Sequence, residues 1–253
     1  MKTVITILVT AIIAASVWAP SATVPHQFSI SAVGEIDSEN QNMAIEESDP
    51  VYEPKSGEEL KAYLHSDELR SRLTKIHDVV SEFMTDEMIW KLKKNDKELF
   101  CLAENIWWEG RGKDFLGKII LAQVVNNRTD DTNYANTNCG VVHQAKLDEV
   151  GKPIPGKCQF SWVCDGHAKS INLKNANGSL NSIKLEAWKD SIRAALTVKY
   201  NMIEDLTDGA THFYNPKVAK SSRHKWIRSA KFERTIEYGG HVFARRNEVS
   251  RTS

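Results

Sequence analysis

The stretch Ile106-Trp107-Trp108-Glu109-Gly110-Arg111-Gly112 sets one carboxyl directly behind two indoles and ahead of two glycines. A carboxylate held against aromatic walls is partly desolvated, and desolvation raises its pKa. A glutamate tuned that way stays protonated near neutral pH and can act as a general acid. Gly110 and Gly112 are poor helix residues. They are expected to end the helix that apolar residues open at Leu99, which puts Glu109 at a helix end facing a cleft. The competing reading is a surface glutamate beside two core tryptophans. Phe160, Trp162, Phe213 and Tyr214 also stand beside polar residues. That mixture suits a sugar-binding cleft and a core equally well. Ser161 has no base beside it, so no Ser-His-Asp triad is read. His212 and His241, taken singly, are more often structural than catalytic.

Cys101, Cys139, Cys158 and Cys164 form an even set, which makes disulfides the expectation in an exported chain. Three full pairings are open, and the sequence does not choose among them. A bond between Cys158 and Cys164 would staple the segment Gln159-Phe160-Ser161-Trp162-Val163. Zinc is the rival use of the thiols, but no tight Cys-x-x-Cys or Cys/His pair accompanies them.

The elements that must position these groups occupy 253 residues, enough for one large domain, or one domain with an arm. Lys plus Arg number 33 and Asp plus Glu 33, so no global field attracts nucleic acid or an anionic membrane. A monomer is expected. Met1-Lys2 followed by the Ala- and Thr-rich apolar run Val4 to Trp18 reads as a targeting segment over 1–22. Cleavage is expected after Ala22, with an uncleaved, releasable anchor as the minority alternative. The destination would be the periplasm, the medium or the wall. Residues 23–55 are polar and acidic and are read as a disordered linker.

An N-terminal helical region is expected over 56–95. Ser56 caps its start and Glu59 reaches back. Leu60, Leu64, Leu69, Leu73, Ile76, Val80 and Phe83 follow at helical spacing. Asn95-Asp96-Lys97-Glu98 repeats the capping pattern and opens the helix that delivers Glu109. A further helix starts near Asp114 and leaves by the polar exit Asn126-Asn127-Arg128. Cys139 to Gln144 suggests a helical turn. Gly151 to Gly156 is loop chemistry, and Gln159 to Trp162 alternates as a short strand would. Leu185, Trp188, Ile192, Ala195, Leu196 and Tyr200 mark another amphipathic helix. Gly239-Gly240 between apolar runs signals a hairpin. The layout is α+β: helices around a small β element.

Taken in order, the segments from about Leu99 to Arg245 resemble the SleB-type cell wall hydrolases, the family of spore cortex-lytic enzymes and related phage and bacterial lysins. The matching motifs are Ile106 to Gly112, Val124-Val125-Asn126-Asn127-Arg128 and Cys139-Gly140-Val141-Val142-His143-Gln144. Gln159-Phe160-Ser161-Trp162 with Cys164-Asp165-Gly166 is the most distinctive. Ala210-Thr211-His212-Phe213-Tyr214-Asn215-Pro216 and Gly240-His241-Val242-Phe243 complete the set. Gly110 stands where the family usually has Ala, and Lys113 where an acid often follows the second glycine.

The resemblance implies a lysozyme-like α+β fold in a catalytic domain over 96–247. It implies cleavage of the β-1,4 bond between N-acetylmuramic acid and N-acetylglucosamine in peptidoglycan by lytic transglycosylation. One glutamate, here Glu109, protonates the leaving oxygen and then serves as the base for attack by the muramic acid 6-hydroxyl. Gln159, Ser161 and Tyr214 would hydrogen-bond the sugar or orient Glu109. Phe160, Trp162 and Phe213 would wall the cleft, and Asn215-Pro216 would fix the loop behind Tyr214. Such chemistry needs no metal or organic cofactor. The enzymatic alternative is a muramidase that adds water with Asp114 or Asp165 as second carboxylate. A non-catalytic glycan-binding wall protein is the alternative from another class.

Overall fold

A computed structural model describes residues 56–165, 170–217, 229 and 231–247. The expected targeting segment and acidic linker lie outside the described residues, as does Gly166. The elements are α1 (Gly57–Leu64), α2 (Asp67–Phe83), α3 (Asp86–Asn95), α4 (Lys97–Gly110), α5 (Phe115–Asp130), α6 (Asn138–Val142), β1 (Ala145–Leu147), β2 (Pro153–Cys158), α7 (Ser161–Cys164), α8 (Ser182–Lys199), β3 (His212–Tyr214), β4 (Phe232–Tyr238) and β5 (His241–Arg246). The fold is α+β and mainly helical, as expected.

Local chemistry starts most of the helices. The Asp96 side chain accepts the Leu99 N–H at 3.0 Å, and Asp114 accepts that of Gly117 at 2.9 Å. Both satisfy donors that a helix start leaves open. Ser66 and Thr85 do the same for α2 and α3. Ser56 does not: it occupies the cap position of α1 but makes no side-chain cap bond. The apolar run from Leu60 to Phe83 is also two helices, broken at His65 and restarted by Ser66.

Helix α5 lies within the core of the described residues. Every residue from Leu116 to Val125 is buried, so the helix is enclosed on all sides rather than showing one apolar face. Helices α4 and α8 pack against it. A Cβ on Gly110 would lie 2.7 Å from the Leu121 methyl, so the glycine is what allows α4 and α5 to approach this closely. The polar side chains of α5 hold the loop that leads to β3. Gln123 donates to the Glu204 carbonyl at 2.6 Å and accepts from the Leu206 N–H at 3.0 Å. Asn127 donates to the Thr207 hydroxyl at 2.9 Å and the Ala210 carbonyl at 3.1 Å. Arg128 donates to the Thr211 carbonyl at 2.7 Å. The expected polar exit is therefore corrected at Arg128, which is buried.

Strands β3, β5 and β4 form an antiparallel sheet in that order. The hairpin turn sits at Gly239 and Gly240, both at positive φ (56° and 79°), as two-residue hairpin turns require. Two expectations fail in the middle of the chain. Pro153 to Gly156 is not loop: it belongs to β2, which pairs with β1 in a small two-stranded sheet. Gln159 to Trp162 is not a strand: Ser161 already starts the short helix α7. Burial still alternates, with Gln159 and Ser161 exposed and Phe160 and Trp162 buried.

Helices α1 to α3 contribute Leu60, Tyr63, Leu69, Leu73, Val80 and Leu92 to the same core as α4, α5 and α8. Trp188 on α8 donates to the Ile89 carbonyl at 3.1 Å, and Arg72 on α2 pairs with Glu204 at 2.8 Å. All four cysteines are in disulfides, Cys101–Cys139 and Cys158–Cys164. The first ties α4 to α6. The second encloses Gln159 to Val163.

Candidate active site

Glu109 lies in the last turn of α4. It is half-buried, and no hydrogen bond or ion pair holds it among the described residues. Burial pushes its pKa up to about 7, and the positive charge of Arg128 pulls the other way. No carboxylate is among the charges that act on it within the described residues.

The two tryptophans before it have different surroundings. Trp107 is in the core, edge-on to Trp188 at 6.3 Å, with the Arg111 guanidinium over its ring at 5.1 Å. Trp108 is half-buried and stacks on Trp162 at 5.8 Å. The Trp162 indole N–H donates to Asn105 at 3.1 Å, so one turn of α4 fixes this ring from two positions. His143 also meets Trp162 in a T-shaped contact at 5.9 Å.

Arg128 connects Glu109 to the later motifs. Its guanidinium lies 4.9 Å from the centre of the Phe160 ring and 5.2 Å from that of Tyr134. Phe160 is 2% exposed and packs against Phe213 at 6.4 Å. Phe160 is thus a support under the site and not an open wall. Phe213 is half-buried, against Phe243 at 5.8 Å and His241 at 5.5 Å. His212 accepts or donates to Thr211 at 2.9 Å and faces the Tyr134 hydroxyl at 3.4 Å. Burial, with Arg128 and Arg246 nearby, pushes its pKa down to about 3, so it is neutral at working pH. Burial and Lys113 likewise lower that of His241.

Gln159 and Ser161 are exposed on either side of Phe160, and Tyr214 is buried in β3. None of the three has a hydrogen bond to Glu109 among the described residues. Asn215 accepts the Lys217 N–H at 2.9 Å and shapes the chain after β3. Arg128 and Tyr134 were not expected in the site. The matching Asn126-Asn127-Arg128 run was the available signal for Arg128; nothing in the sequence marked Tyr134.

Asp114 is committed elsewhere. Besides capping α5 it accepts the Tyr238 hydroxyl at 2.6 Å. Lys113 beside it donates to the Gly239 carbonyl. These two contacts pin the α4–α5 connection to the β4–β5 turn, so Lys113 in place of an acid serves as a brace.

The profile of the cell wall hydrolases matches residues 112–244, just over half of the chain. The chain belongs to that family. The match begins three residues after Glu109, at Gly112. Two spore cortex-lytic enzymes of Bacillus cereus are each 27% identical to this cell wall hydrolase over 152 residues, covering 60% of it and 45% of the relative. The chain therefore spans about half the length of the curated relatives it matches. Two solved structures are also similar. The catalytic domain of the Bacillus cereus SleB protein has a TM-score of 0.39 and 23% identity, covering 60% of this chain and 91% of that one. The catalytic domain of the germination-specific lytic transglycosylase SleB from Bacillus anthracis has a TM-score of 0.38 and 24% identity, covering 60% and 97%.

Proposed function

We propose that this cell wall hydrolase is a lytic transglycosylase that cleaves the β-1,4 bond between N-acetylmuramic acid and N-acetylglucosamine in peptidoglycan. The observation that carries the reading is a lone acid: Glu109 has its pKa raised to about 7, with no carboxylate acting on it among the described residues. Glycosidases that add water use two carboxyls flanking the bond. A single carboxyl suffices when the nucleophile belongs to the substrate.

In this scheme protonated Glu109 gives its proton to the leaving oxygen as the bond to the anomeric carbon breaks. The resulting carboxylate takes the proton of the muramic acid 6-hydroxyl, which closes a 1,6-anhydro ring. A pKa near working pH lets one group do both. Half-buried Trp108 and Phe213 offer ring faces to the sugars, with buried Trp162 stacked on Trp108, and exposed Gln159 and Ser161, with Asn215, offer polar contacts. Phe160 packs against Phe213, and Tyr214 is buried in β3. Export across a membrane fits a wall substrate, and two disulfides fit an oxidising compartment. Among the described residues no helix is long and apolar enough to cross a membrane.

The test is to neutralise the two carboxylates a muramidase could use. Asp114→Asn keeps a capping side chain, and Asp165→Asn changes an exposed position. Both variants are expected to turn over isolated peptidoglycan close to the wild-type rate. If either abolishes turnover while staying folded, a second carboxylate takes part and the single-acid scheme fails.

A further inference from the structure

Arg128 is 4% exposed, and its Nε is spent on the Thr211 carbonyl at 2.7 Å. Its Nη1 is buried and has no hydrogen-bond partner. Buried polar groups are nearly always paired, so an unpaired one calls for a reason. The other buried cations among the described residues have carboxylate partners: Lys118 pairs with Asp190 at 3.0 Å, and Arg193, whose own Nε is also unpaired, binds Asp190 at 2.7 Å and Glu186 at 2.8 Å through Nη1. Arg128 instead has its guanidinium over the rings of Phe160 and Tyr134, 4.9 Å and 5.2 Å from their centres. The acid in its field is Glu109, yet the two form no ion pair. A neutral carboxyl has little reason to seek that donor, whereas a carboxylate has a strong one.

We propose that Arg128 is a positioning residue whose unpaired Nη1–H receives the Glu109 carboxylate once its proton has left. The proposal rests on the reading of Glu109 as the proton donor. Glu109 protonates the glycosidic oxygen, and the electron pair of the broken bond to the anomeric carbon stays on that oxygen. One carboxylate oxygen then takes the Nη1–H bond, which leaves the other turned to the 6-hydroxyl. The hydroxyl oxygen bonds to the anomeric carbon, its proton passes to Glu109, and the neutral carboxyl releases Arg128. Protons balance over the cycle and nothing is oxidised. The titratable groups that act on Arg128 are Tyr134 and Glu109, and Arg128 in turn acts on His212. His212 does not titrate near neutral pH, so it does not imitate Glu109.

Guanidinium proton and nitrogen NMR of the wild-type chain tests this without any substrate. As pH rises through about 7, the Arg128 Nη1–H resonance should move downfield and its exchange with water should slow. In Glu109→Gln both should stay flat. A pH-independent Arg128 signal in the wild type overturns the proposal, whatever the enzyme's products are. Kinetics supply the second arm. Arg128→Met should lower kcat by about ten- to a hundredfold, the weight of a hydrogen bond to a charged group. KM should change little, the alkaline limb of the pH profile should move to higher pH, and Arg128→Lys should recover part of kcat. Loss of folded protein with an unmoved pH limb in the molecules that remain would show a merely structural arginine. If Arg128→Met does not fold, the wild-type spectra decide. Products with reducing ends would sink the transglycosylase reading and leave the Arg128 spectra to be judged on their own.

Discussion

Glu109→Gln is expected to leave a folded protein that still binds peptidoglycan and releases almost no soluble fragments. Glutamine keeps the shape of the side chain but neither gives nor takes the proton. General acid–base help is worth on the order of 10²–10⁴ in rate, and in the proposed scheme one group supplies both halves. In the wild type, activity should fall as pH rises through about 7, because the acid form is lost there. The same titration acts on stability. Between 4.5 and about 7 the folded state holds a proton that the unfolded chain has released, so Glu109 makes stability fall across that window. Glu109→Gln removes this slope and should be the more stable protein above pH 7. Turbidity clearing of wall suspensions and urea unfolding at several pH values measure both effects. A fully active Glu109→Gln would remove Glu109 from the mechanism.

The second large effect is on stability, from opening the Cys101–Cys139 bond. The residues are 38 apart in sequence, and a loop of that length corresponds to about 4 kcal/mol in the chain-entropy account. That is roughly a thousandfold in the folding equilibrium. Cys101 lies on α4, two turns before Glu109, and Cys139 is in the first turn of α6, where its N–H also donates to Glu98 at 2.9 Å. The double variant Cys101→Ser, Cys139→Ser should therefore unfold at much lower urea. Cys158–Cys164 spans a separation of 6 and should contribute about 2 kcal/mol by the same account. Equal urea midpoints for the wild type and the Cys101, Cys139 double variant would contradict the assignment of that bond as the main staple.

What could be read from the sequence was what local chemistry decides. Asp96 and Asp114 announce helix starts because a short carboxylate satisfies backbone donors within its own turn. Gly239-Gly240 announces a hairpin because few other residues accept positive φ twice running. Ser56 shows the limit of such signals, since a good capping residue at the right place made no cap bond. What was hidden depends on distant partners. Strand β2 carries two prolines and becomes a strand only through pairing with β1. The alternation at Gln159 to Trp162 fitted a strand, but the Cys158–Cys164 bond and the hold of Asn105 on Trp162 suit a helical turn. Arg128 looked like a surface residue because its partners Thr211 and Phe160 are far along the chain. Glu109 could be singled out because its aromatic neighbours are adjacent in sequence. The rest of its surroundings could not.

The central claim is that one carboxyl at Glu109 cuts the glycan strand with the substrate's own hydroxyl as nucleophile. Mass spectrometry of the fragments released from purified peptidoglycan tests it most directly. The account predicts muropeptides ending in 1,6-anhydro-N-acetylmuramic acid, each lighter by one water than the product of a muramidase. Fragments ending in reducing N-acetylmuramic acid would contradict it.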